Sequence, residues 1–85
     1  RQSLADVLAL TLANRGHEWT RIHSPLFGGV AGRVRAFDGR TVHIAISDLE
    51  LLQNEGPAGL VDLLTSKIKT AERTLENMRA EASNQ

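Results

Sequence analysis

The sequence predicts an α+β domain: one helix, a three-stranded antiparallel sheet, and a long C-terminal helix. Three observations carry that prediction. Leucines recur at helical spacing near the N-terminus, apolar and polar residues alternate in three short central runs, and the last third carries an apolar seam every three or four residues. Strands grouped between helices, rather than alternating with them, favour an antiparallel sheet with helices on one face. No internal repeat or low-complexity tract interrupts the order, and residues 1–85 read as a single small domain.

Ser3 followed three residues later by Asp6 is a capping-box pattern, with the acid in the favourable first turn. Leu4, Val7, Leu8 and Leu12 then share one helical face, and Asn14-Arg15-Gly16 supplies a stop with glycine at the cap. The spacing predicts a helix over 3–15. The run 17–23 contains Trp19, Thr20 and Ile22, ends at Ser24-Pro25, and reads as a first strand.

Two further runs, 30–36 and 40–46, flank Phe37-Asp38-Gly39. A two-residue Asp-Gly turn would set Val42 opposite Arg35 and Ile44 opposite Arg33, mixing apolar and charged residues on one face. A three-residue loop with Gly39 left-handed instead pairs Val34 with Val42, Gly32 with Ile44 and Val30 with Ile46. One face is then apolar throughout, which is what fixes register in a half-buried sheet, so the longer loop is expected. The opposite face displays Arg33, Arg35, Thr41 and His43. With Ile22 pointing inward, alternation adds Trp19, Arg21 and His23 to that outer face. A bulge that turned Trp19 into the core is the alternative, and the commoner fate of a lone tryptophan.

Ser47 with Glu50 is a second capping-box pattern favouring a short helical turn, although Leu49 and Leu51 could instead prolong the third strand. Asn54-Glu55-Gly56-Pro57 breaks the chain, and Pro57 suits the first turn of the next helix. That helix, from about Gly59 to Ala82, carries Val61, Leu64, Ile68, Ala71, Leu75, Met78 and Ala82 at coiled-coil spacing. A helix of about 24 residues spans about 36 Å, whereas a six-residue strand spans only about 20 Å. Its early half, Leu60 to Ile68, is therefore expected to pack on the sheet. Residues 71–85 are expected to overhang it as a helical extension that docks a partner.

Composition narrows the possible jobs. Hydrophobic residues make up 41% and charged residues 24% of the chain, ordinary globular usage that argues against disorder. With no cysteine there is neither a disulfide framework nor a zinc-finger ligand set. No apolar stretch approaches the roughly 20 residues of a membrane span and no signal-peptide pattern opens the chain, so a cytoplasmic protein without membrane contact is expected. The chain begins at Arg1 rather than methionine, which a processed terminus or a piece of a larger polypeptide would explain. Its net charge is zero but unevenly spread: five arginines face Glu18 and Asp38 between Arg15 and His43, and seven acids face four bases from Ile44 onward. Such asymmetry marks a binding face or is neutralised within the fold, and neutralisation is the commoner outcome.

No enzyme motif stands up. His17, His23 and His43 lack the acid–histidine helical spacing of a metal site, and a catalytic zinc needs three ligands in fixed geometry. Ser24, His23 and Glu18 lie close in sequence without a nucleophile elbow or an oxyanion hole. Phe27-Gly28-Gly29-Val30-Ala31-Gly32 precedes a strand, and no Gly-Lys-Ser/Thr follows, so it is no phosphate loop. A non-catalytic protein without cofactor or metal is expected.

The arginine face, set beside an aromatic, resembles what single-stranded nucleic acid uses. The element order is similar to that of double-stranded-RNA-binding domains, although their basic cluster at the start of the last helix is absent here. The chain as a whole resembles a small module found in very large helicase and DNA-methylase polypeptides of phages and plasmids. There an Arg-x-x-x-Ala-x-x-Leu helix precedes an Ile/Gly-rich strand, two more strands, and a glycine that leads into a long helix. Arg1, Ala5, Leu8, Ile22, Gly28, Gly29 and Gly59 occupy those places, while Leu60-Val61-Asp62-Leu63 stands where that module usually has Arg-Leu-Glu-Asn. The resemblance implies a non-catalytic appendage beside a DNA-processing engine. Two functions follow as expectations. One is nucleic-acid contact through Trp19, Arg21, Arg33, Arg35 and His43. The other is docking to a neighbouring domain, or homodimer formation, through Leu64, Ile68, Leu75 and Met78.

Overall fold

The computed structural model describes residues 3–83, so Arg1 of the resemblance lies outside the described residues. The chain folds as α1 (Leu4–Asn14), β1 (Glu18–Ile22), β2 (Gly29–Arg35), β3 (Thr41–Ser47), α2 (Asp48–Gln53) and α3 (Pro57–Ser83). This is the α+β arrangement expected from the sequence, with a short helix settling the ambiguous stretch after β3. Both capping boxes form. Ser3 accepts from Asp6 N–H at 3.2 Å and Ser47 accepts from Glu50 N–H at 3.1 Å, while each N3 carboxylate reaches back to its cap N–H. At the end of α1, Gly16 N–H donates to Ala13 and His17 N–H to Leu12, the paired bonds of a Schellman stop.

The three strands form an antiparallel sheet in sequence order. Val34 pairs with Val42, Gly32 with Ile44 and Val30 with Ile46, the register that the three-residue loop requires. The hairpin closes with Ala36 N–H donating to Arg40 at 2.8 Å and Gly39 N–H to Ala36 at 3.0 Å, and Gly39 takes a φ of 91°. Only glycine enters that left-handed region without strain, so Asp38-Gly39 serves the longer loop and not the two-residue turn.

The first strand corrects one expectation. Trp19 pairs with Val34 and Arg21 with Gly32, which places both on the inner face, while Ile22 pairs with Ala31 on the outer face and is 40% exposed. No bulge is involved. The alternation simply runs opposite to the one counted from an inward Ile22. The indole is the larger apolar surface, so burying it outweighs burying one isoleucine. Gly32 makes the room: a Cβ there would overlap the far edge of the Trp19 ring.

Both long helices lie on the inner face. Ala5, Leu8 and Leu12 of α1, the five inward positions of β2 and β3 other than Gly32, and Ile68, Ala71 and Leu75 of α3 make one continuous core. Trp19, Leu51, Leu63 and Leu64 pack against it. The core reaches further along α3 than overhang from residue 71 allows. Ala71 and Leu75 are buried, so the uncovered part of the helix begins after Leu75.

Candidate nucleic-acid interface

Neither helix covers the outer sheet face, and β-alternation decides what it displays. Cross-strand rows run Glu18–Arg35–Thr41 and Thr20–Arg33–His43, followed by Ile22–Ala31–Ala45. All nine side chains except Ala31 are exposed. Arg33 and Arg35 stand two residues apart on the central strand, about 7 Å along it. Neither has an ion-pair partner among the described residues, whereas Arg15 and Arg40 of the same basic stretch are both engaged.

Those engaged groups show where the local charge is spent. Arg15 donates to both Glu72 oxygens, at 2.9 and 2.7 Å, and His17 Nε2 lies 3.0 Å from the same carboxylate. The Arg15 hydrogen bond holds the Glu72 carboxyl below the usual carboxylate range, with His17 assisting and burial opposing. Arg40 bridges Asp38 within the hairpin and donates to the Leu75 carbonyl at 2.6 Å. This cluster ties α1 and the hairpin to α3, and each of its charges already has its partner.

Of the residues expected to contact nucleic acid, the fold brings Arg33, Arg35 and His43 together on one face. It does not bring Trp19 or Arg21 there. Trp19 is packed against the core over Gly32, and exposed Arg21 stands on the helix-bearing side at the sheet rim. An exposed aromatic stands at the hairpin tip instead, outside the rows of the outer face and bordering the helix-side clefts with His17 and Ala36. Phe37 at the hairpin tip is fully exposed, two residues beyond Arg35, whose guanidinium leans over Gly39. The sequence signal for it was the loop itself: a residue within a three-residue hairpin turn cannot reach the core.

The residues expected to bind a partner are largely occupied as well. Ile68 and Leu75 belong to the domain's own core, and Leu64 is half-buried against it. Only Met78, 37% exposed, remains open to solvent. A seam at heptad spacing serves an internal sheet as readily as a second helix, and here the sheet and α1 take its middle turns.

Among the described residues no three histidine, cysteine or acidic side chains converge on a metal-binding geometry, and no helix is long and apolar enough to cross a membrane. No protein-family model, curated protein or solved structure matches this chain.

Proposed function

We propose that the chain is a non-catalytic accessory module of a nucleic-acid-processing protein, and that its outer sheet face contacts the sugar-phosphate backbone. The observation that supports this reading is an uncovered sheet face whose two central arginines have no ion-pair partner among the described residues. Guanidinium groups so placed attract phosphates and release condensed counterions on binding. His43 lies beside Arg33, and Thr20 and Thr41 add hydroxyl donors. Phe37 offers a stacking surface at the hairpin end, which favours a single strand with unstacked bases over a duplex. A flat face with so few side chains has no means of reading base edges, so contact independent of sequence is expected.

The test is fluorescence anisotropy with a labelled single-stranded oligonucleotide across a salt series. Two phosphate contacts give a log–log slope of about −1.4. Changing Arg33 and Arg35 together to Glu removes both the binding and the slope. Phe37→Ala weakens binding by about 1–3 kcal/mol with the slope unchanged. Absence of binding at low salt sinks the proposal.

A further inference from the structure

The sheet has two free edges, and they differ. β1 offers five residues, with the charged Arg21 among its edge groups, whereas β3 offers seven without proline, lysine or bulge. Those are the devices that normally protect an edge from pairing. Ala36 N–H donates to Arg40 at one end of the β2–β3 ladder, and Asp48 N–H donates to Gly28 at the other, both at 2.8 Å. Antiparallel alternation then assigns the ladder bonds to Val42, Ile44 and Ile46, and turns the N–H and C=O groups of Thr41, His43 and Ala45 outward. Ser47 continues the outward set, but its N–H is already taken by Glu50 at 3.1 Å. Among the described residues nothing pairs with the groups of the other three.

Beside this edge runs a groove of about 660 Å³, bounded by Val42 and Ile44 and by the α3 flank of Leu63, Thr70, Thr74 and Met78. The flank is electrically neutral. Its one charge, Lys67, is bridged to Glu50 at 2.9 Å, while Lys69, Glu72, Arg73 and Glu76 lie on other sides of the helix. We propose that this groove docks one extended segment of another polypeptide, which adds to β3 as a fourth strand.

A second copy of the domain does not fit there. α3 overlies β3, so joining β3 to its two-fold mate brings both α3 helices together at strand spacing, about 4.8 Å. Packed helices need about 8–10 Å. A lone strand carries no helix of its own and slides under the flank. Its chemistry follows from the two sides it meets. Alternate side chains face the neutral flank and are uncharged. The others emerge on the outer face beside Thr41 and His43, with Arg33 one strand further, where an acidic residue is favoured. The docked strand leaves Arg33 and Arg35 uncovered.

The experiment titrates the isotopically labelled chain with a blocked heptapeptide alternating valine and glutamate, and reads amide hydrogen exchange. The Thr41, His43 and Ala45 amides exchange freely without peptide and at least tenfold more slowly at saturation. N-methylating alternate peptide nitrogens removes the donors but keeps the side chains, and weakens binding at least tenfold. Ala45→Pro removes only an outward N–H. Thr74→Arg charges an exposed helical position and tests the groove without touching the sheet. Each weakens binding at least tenfold, with the thermal midpoint of Thr74→Arg unchanged. Three results overturn the proposal: equal binding of the N-methylated peptide, no saturable binding at millimolar peptide, or edge protection that grows with protein concentration alone, which makes a second copy the occupant.

Discussion

A Cβ added at Gly32 would overlap the Trp19 ring, and both residues sit on the inner face of adjacent strands. The missing side chain is thus the space the indole occupies. Intrinsic strand preference alone would make valine better than glycine at a strand interior. Packing opposes it, because the indole has nowhere else on that face to go. Gly32→Val is expected to cost about 1–3 kcal/mol through overpacking. That corresponds to a fall of about 4–8 °C in the thermal midpoint per kcal/mol for a domain of this size, with tryptophan emission shifting to the red. A higher midpoint would show that propensity dominates and that Trp19 does not depend on this gap. The inward tryptophan was open to sequence reasoning only as an alternative. Counting outward from Ile22 gives the opposite parity, and five residues of strand offer no second apolar anchor to break the tie.

The seam of α3 is read differently at the scale of the element. Its period was legible in the sequence, but a period says only that one stripe is apolar and not what covers it. Ile68, Ala71 and Leu75 meet the sheet and α1 because two separate contacts hold the helix down past its midpoint. Glu72 is clasped by Arg15 and His17, and the Leu75 carbonyl accepts from Arg40. These partners lie 35 to 57 positions away in sequence, beyond any local pattern. Truncating the buried positions is expected to be costly: Ile68→Ala or Leu75→Ala by about 2–5 kcal/mol, Met78→Ala by less than about 1 kcal/mol. Urea midpoints of the three variants decide the point. Equal, small losses would return the middle of the helix to a partner. By contrast, the hairpin was fully legible, because register and loop length were both constrained by the same apolar pairs.

Across the whole molecule, α3 sets the shape. Its 27 residues span about 40 Å, close to the longest dimension of 43 Å, while the sheet beneath occupies only part of that length. The helix is fastened to the rest by polar contacts as well as by the core: Glu72 to Arg15 and His17, Glu50 to Lys67. The carboxyls of Glu72 and Glu50 lie below their ordinary range, held there first by the side-chain hydrogen bonds from Arg15 and Lys67 respectively. Arg40 holds Asp38 low within the hairpin. A carboxylate depressed in the folded state contributes stability that is present above its unfolded value and lost as pH falls through the folded one. The contribution of these pairs is therefore expected to hold down to the ordinary carboxylate range near about 4.3, and the denaturation midpoint to drop below it. Glu72→Gln should make the drop shallower. A midpoint that rises as pH falls below about 4.3 would show that these pairs do not stabilise the fold.

The sequence by itself determined α1, the three strands, α3, the capping box at Ser3, the hairpin loop and the β2–β3 register, while Ser47 with Glu50 only favoured the short helix that forms. Each follows from spacing within a few residues or from the rule that one sheet face must be apolar. It also placed Arg33, Arg35 and His43 together, since their positions ride on that register. Only the tertiary structure decided the parity of β1 and the length of α3 spent on its own core. Those depend on which large surface wins burial and on contacts between residues far apart in the chain, where local periodicity carries no information.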